Sequence, residues 1–109
     1  MSKELGIKLC LSRIKRCIEA GNVHFINRKK NIEFLLKIGL TVGNVFDILM
    51  QLTPQNYHFG PLYDKDGSEG QVWIFIHPIT NKKIYIKLKF FEGEGNDWMK
   101  VLSFHEEEK

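Results

Sequence analysis

Cysteine, proline and net charge are all scarce in this chain of 109 residues, which carries two Cys, three Pro and a formal charge of +3. Cys10 and Cys17 lie seven residues apart on one amphipathic segment. As a helix that segment separates their Cα atoms by about 10 Å, beyond the roughly 7 Å a disulfide tolerates. Without a CxxC pair, and with four histidines at no ligand spacing, a structural metal site is not expected. No apolar run approaches the roughly 18 residues of a membrane span, and Met1-Ser2-Lys3-Glu4 lacks the apolar stretch of a secretory leader, so the expected compartment is the cytoplasm. GxSxG, P-loop and HExxH motifs are missing, which removes the common nucleophile, nucleotide and zinc-hydrolase signatures. Gly93-Glu94-Gly95 lacks the strand-to-helix setting of a dinucleotide loop.

What is present is enough for a core: 43% of residues are hydrophobic and 12% aromatic, in a length that suits one domain over residues 1–109. Ile7, Cys10, Leu11, Ile14, Cys17 and Ile18 follow helical spacing, so both thiols read as small core residues. Lys8, Arg13, Lys15 and Arg16 fall between them, on the expected exposed side. Gly21-Asn22 stops that helix, and Val23 to Ile26 is a short β-prone run suited to an edge strand. Asn27 is positioned to cap a second helix over 28–38, with Ile32, Leu35 and Leu36 inward and Gly39 closing it. Thr41 caps a third, carrying Val42, Val45, Phe46, Leu49 and Leu52, and Thr53-Pro54 can open one further turn.

From Tyr57 the period changes. Gly60-Pro61 and Asp66-Gly67 bracket an irregular stretch. Residues 71–77 read as a strand, Thr80-Asn81 as a turn, 83–91 as the clearest strand, 92–97 as an acidic loop and 98–105 as a last strand. The expectation is an α+β fold, with three short helices packed on one face of a mostly antiparallel sheet.

The strand over 83–91 puts Ile84, Ile86, Leu88 and Phe90 on one face, and Tyr85, Lys87 and Lys89 on the other. By strict alternation His105 and Ser103 join the polar face, and so do Met99 and Val101; the preceding strand adds Trp73, Phe75 and His77 or their neighbours. Ammonium groups neutralise phosphates and aromatic rings stack on unpaired bases. A ribose 2′-hydroxyl attacking its own phosphate needs a base, an acid and positive charge, which histidine, tyrosine and lysine can supply. Alternating lysines also suit a solvated face that discourages edge pairing, so a non-catalytic RNA- or protein-binding domain is the alternative. Glu106-Glu107-Glu108 reads as a solvated tail or a cover for a basic patch. Charge placement favours RNA: through residue 30, eight Lys and Arg face only Glu4 and Glu19, and acidic residues gather in 64–69, 92–97 and the tail.

Five further stretches occur in a distinctive order: Glu19-Ala20-Gly21-Asn22-Val23 after a basic helix, Ile38-Gly39-Leu40, Leu52-Thr53 followed by Tyr57, Lys83-Ile84-Tyr85-Ile86-Lys87-Leu88, and Val101-Leu102-Ser103-Phe104-His105. Over nearly the whole chain this order resembles the MqsR family of type II toxin–antitoxin toxins, small RNases with a RelE-like fold. The resemblance implies an mRNA endoribonuclease needing no cofactor, acting on free or ribosome-bound mRNA. It also implies a cognate antitoxin, a small DNA-binding protein that joins the toxin in repressing their operon. Tyr85 and Lys87 match the family's active-site tyrosine and the lysine two positions on. His105 stands where the family has a C-terminal lysine, and His58, after Tyr57, where its type member has another. The implied catalytic set is therefore His58, Tyr85, Lys87 and His105, with the two histidines as acid and base in unassigned order. The family's glutamine falls on Trp73 by gapless placement, with Gln71 two residues away on the same face. Tyr57, Gln71, Trp73, Lys82, Lys83 and Lys89 are the implied RNA-binding residues.

Overall fold

Ile84, Ile86, Leu88 and Phe90 are 0–1% exposed, and the sheet is built around the strand that carries them. The computed structural model describes residues 3–63 and 70–108; the Asp66-Gly67 turn and the acidic run 64–69 lie outside the described residues. The elements are α1 (Lys3–Glu19), β1 (Val23–Phe25), α2 (Lys29–Ile38), α3 (Val42–Met50), a 3₁₀ turn (Pro54–Asn56), β2 (Tyr57–Leu62), β3 (Gln71–Ile79), β4 (Lys82–Gly93) and β5 (Asn96–Glu106). Strand order is β1-β5-β4-β3-β2, with β1 parallel to β5 and all other pairs antiparallel. The fold is α+β as expected, with β1 on the edge.

The helices cover one face of the sheet. Ile7, Cys10, Ile14 and Cys17 of α1, Phe34 and Leu35 of α2, and Val45 and Leu49 of α3 meet Trp73, Phe75, Phe90, Met99, Val101 and Phe104 in one core. Phe75, Phe90 and Phe104 are 0–1% exposed, each contributing about 1.5–3 kcal/mol by burial. Thr41 caps α3 through a reciprocal capping box with Asn44, and Gly39 ends α2 at φ 76°.

Several sequence expectations are corrected. Asn27 does not cap α2; Arg28 holds the cap position without a side-chain bond, because its own N–H turns back to the Ile26 carbonyl at 2.8 Å. The buried stripe of α2 is Asn31, Phe34 and Leu35, whereas Leu36 is 78% exposed. A polar residue in the stripe shifts the apparent apolar face by about one position. Arg13 is partly buried rather than exposed: it forms a bidentate pair with Asp97, both bonds 2.7 Å, and lies 4.6 Å over the Phe90 ring. Residues 57–62 form edge strand β2, which the Gly60-Pro61 signal conceals. The register shift between Phe59 and Leu62 accommodates that dipeptide, and Gly60 sits at φ 127°, where a Cβ would fall 2.8 Å from the Val72 carbonyl. The 92–97 loop is a tight hairpin, with Glu92 paired to Asp97 and Gly93 to Asn96. Glu94 and Gly95 turn at φ 54° and 77°, the positive-φ pair that matches strand twist.

One irregularity fixes the functional face. Lys87 pairs with Ser103, but Leu88 pairs with Val101, so Leu102 is an extra residue, a β-bulge. The bulge reverses alternation along β5. Met99 and Val101, expected on the polar face, are core residues at 0% exposure.

Candidate active site on the open sheet face

β4 presents Lys83, Tyr85, Lys87 and Lys89 away from the helices, because the alternate positions are locked into the core. Beside them β5 presents His105 and Ser103 on one side of the bulge, then Lys100 and Trp98 on the other. β3 contributes the neighbours Ile76, Ile74 and Val72 rather than Trp73, Phe75 and His77. Val72 and Ile74 are 2% and 8% exposed although neither belongs to the core that the helices cover. Their cross-strand neighbours are Lys89 and Lys87 on β4, whose aliphatic stems suit apolar surface.

Tyr85 and His105 are direct cross-strand partners, and their rings stack at 5.5 Å between centroids and 24° between planes. His105 Nδ1 lies 3.0 Å from the Glu106 carbonyl. A carbonyl only accepts, so in the neutral ring Nδ1 carries the proton and Nε2 keeps a free lone pair. Lys87 is the next outward residue after Tyr85 and has no ion-pair partner among the described residues. A phenol and an imidazole in contact thus share the open sheet with an ammonium group one outward position further along β4.

The acidic tail does not lie over this face. Glu106 pairs with Lys82 at 3.5 Å and Lys37 at 3.6 Å, and Glu108 pairs with Lys30. The Glu108–Lys30 hydrogen bond holds the Glu108 carboxyl below its ordinary value. These contacts draw the tail toward α2, where His105 also borders a shallow cleft of about 230 Å³.

The other candidate residues are dispersed. His58 is exposed on β2 at the first register shift, three strands from His105; at about 4.8 Å per strand that is about 14 Å. Lys82 is on the helix side, paired to Glu106. Tyr57, Gln71 and Trp73 also face the helices. Tyr57 packs edge-on against Trp73 and Phe75 and donates to the Gly60 carbonyl at 2.7 Å. The Gln71 side-chain oxygen accepts from Arg13 and from the Trp73 indole, both at 3.4 Å. Gln71 and Trp73 line a cleft of about 460 Å³ against α1, with Lys3, Arg13 and Arg16 on its walls. Lys100, Trp98 and His24 also reach the open face, which strict alternation does not predict. Their signal was the broken alternation of Met99, Val101 and Phe104, three core residues that no unbulged strand can put on one face.

The family model described as motility quorum-sensing regulator, toxin of MqsA, matches residues 7–106. The chain belongs to this family. No curated protein matches it, and no solved structure does. Membership makes the chain the toxin of a toxin–antitoxin system and gives it a cognate antitoxin as partner. The family match spans Tyr85, Lys87 and His105 together with the helices that back them. Among the described residues no helix is long and apolar enough to cross a membrane, and no group of three His, Cys, Asp or Glu side chains is placed to hold a metal ion.

Proposed function

We propose that this toxin is an mRNA endoribonuclease acting in the cytoplasm, with Tyr85, Lys87 and His105 as its catalytic group. The observation that carries this reading is the Tyr85–His105 stack on an open face, with the Lys87 ammonium beside it. His105 Nε2 takes the proton of a ribose 2′-hydroxyl, and the 2′-oxygen attacks the adjacent phosphorus. The P–O5′ bond breaks, leaving a 2′,3′-cyclic phosphate and a 5′-oxygen that accepts a proton from the Tyr85 phenol. Lys87 offsets the extra negative charge of the five-coordinate phosphorus, the largest electrostatic demand of the step. His58, some three strands off, contacts RNA rather than completing an acid–base pair. Lys83 and Lys89 extend positive charge along the strand for the phosphate backbone. Tyr57, Gln71 and Trp73 hold the α1 side of the sheet instead of contacting this RNA. The antitoxin that neutralises the chain is a small DNA-binding protein.

The test is direct. The purified toxin is incubated with unstructured RNA and, separately, with mRNA-programmed ribosomes, and the product ends are mapped. Cyclic-phosphate and 5′-hydroxyl ends are expected. RNA left intact in both settings overturns catalysis; retention of RNA without cleavage identifies a binding domain on the same scaffold.

A further inference from the structure

The open face carries a second ring stack that the catalytic group does not use. His24 of β1 and Trp98 of β5 stack at 5.0 Å with their planes 7° apart. They sit on the same face as Tyr85 and His105, because His24 is the parallel partner of Lys100, and Lys100 and Trp98 are outward residues beyond the bulge. The indole is fixed: its N–H donates to the Gly93 carbonyl at 3.2 Å. Gly93 also gives it room, since a Cβ there would lie 3.2 Å from the indole Cδ1. His24 is the exposed member of the pair, on the edge strand.

Between the two stacks runs a basic strip. Lys87 lies opposite Ser103, Lys89 opposite Lys100, and the Lys100 ammonium lies 4.8 Å over the Phe91 ring. From His105 to Trp98, allowing for the bulge, the strand advances about 20 Å. That length suits a single strand of roughly 4 nucleotides, where single-strand sites begin. Rings at both ends with ammonium groups between them are what an unpaired strand requires: stacking is tolerant of base identity and lysines follow the backbone.

We propose that the His24–Trp98 stack is a distal base-binding subsite, which holds a nucleotide several positions from the scissile phosphate. RNA then lies along β4 and β5, and cleavage efficiency depends on substrate length as well as on the bases cut. This inference rests on the endoribonuclease reading of the same face.

The experiment compares uncleavable 2′-O-methyl oligonucleotides of three and eight residues, binding the full chain at fixed salt. The wild type is expected to hold the octamer at least about tenfold more tightly than the trimer, in keeping with one extra base stack. In His24→Ala the octamer is expected to bind at least about fivefold more weakly than to the wild type, with the trimer unchanged, so the ratio falls. His24 is exposed, so the substitution does not threaten folding. As a second measurement, the Trp98 indole N–H resonance, assigned with Trp98→Phe, shifts with the octamer and not with the trimer. A wild-type ratio that persists in His24→Ala, with an unmoved indole resonance, overturns the subsite while leaving the RNA reading intact. A wild type that binds neither oligonucleotide overturns both.

Discussion

Asn31 of α2 closes the bulge at Leu102 of β5. Its side-chain amide donates to the Leu102 carbonyl at 3.1 Å and to the Ile26 carbonyl at 3.0 Å, and its oxygen accepts from the Phe104 N–H at 3.0 Å. A bulge leaves backbone groups without ladder partners, and here one fully buried carboxamide supplies them. Beyond that point Ser103 and His105 face outward and Phe104 inward, so a helix residue sets which β5 side chains reach the open face.

Asn31→Ala removes all three bonds and leaves the Leu102 carbonyl and the Phe104 N–H unpaired in the interior, while the Ile26 carbonyl keeps the Arg28 N–H. At about 1–3 kcal/mol for each unsatisfied group, the loss is expected to be about 2 kcal/mol or more, read as a drop in urea midpoint. Asn31→Asp is nearly isosteric but cannot donate, and sets a carboxylate against two carbonyls. It should destabilise at least as much near pH 7 and recover partly under acid. A midpoint unchanged in both variants would show that the bulge holds without its clamp.

Tyr85 and His105 separate stacking from proton transfer. Tyr85→Phe keeps the ring against the imidazole and removes only the hydroxyl, so RNA affinity should hold while cleavage slows. His105→Ala should reduce cleavage about 10²–10⁴-fold, the usual range for losing a general acid or base. Lys87→Arg retains the charge and should keep more activity than Lys87→Ala. Single-turnover rates with a saturating RNA measure each effect; equal rates for Tyr85→Phe and wild type would remove the phenol from the chemistry.

Much of this arrangement is legible in the sequence where one periodicity dominates. The 83–91 run alternates without interruption, because every even position is core and every odd one is open to water. The same rule fails over 98–105, where a bulge inserts one residue and exchanges faces. Val101-Leu102 is the visible trace of that insertion, two adjacent apolar residues inside an alternating strand. In α2 the inward stripe includes a polar residue, so apolar spacing points to Leu36 and Ile32 instead of Asn31 and Phe34. Strand β2 is hidden for a related reason: Gly60-Pro61 is a turn signal in isolation, and only its close approach to β3 makes it part of a strand. Trp73 and Gln71 share a face in sequence and in the fold, yet parity alone did not say that this face meets α1. Charge pairs across distant segments, such as Arg13 with Asp97, leave no periodic signal at all.

That pair ties α1 to the β4–β5 hairpin. Its two 2.7 Å bonds hold the Arg13 guanidinium above its ordinary value, and the fork geometry fits arginine rather than lysine. The side chains are 25% and 36% exposed, so solvent weakens the attraction. Arg13→Ala should cost about 1–2 kcal/mol, and Arg13→Lys should recover less than half of it. Thermal denaturation of the single variants and of Arg13→Ala with Asp97→Ala gives the coupling energy. Additive losses would mean that Arg13 acts through its contacts with Phe90 and Gln71 and not through Asp97.

Cys10 and Cys17 provide a readout of core integrity. Burial is the main cause that pushes both thiols above their ordinary value of 9.0, with Arg13 partly opposing it. A thiol must ionise to react, so neither should be alkylated by iodoacetamide in the native state at pH 7.5, and both should label on unfolding. The same shift carries a pH dependence. Because the folded state holds these protons more tightly than the unfolded chain, the related stability is fully present below about pH 9 and falls as pH rises through the folded values. Urea midpoints should therefore decline between pH 8 and pH 10, and less steeply in Cys10→Ala, which has lost the more strongly shifted thiol. Rapid native-state alkylation of Cys10, or identical alkaline slopes for wild type and Cys10→Ala, would show that this residue is not sealed in the core.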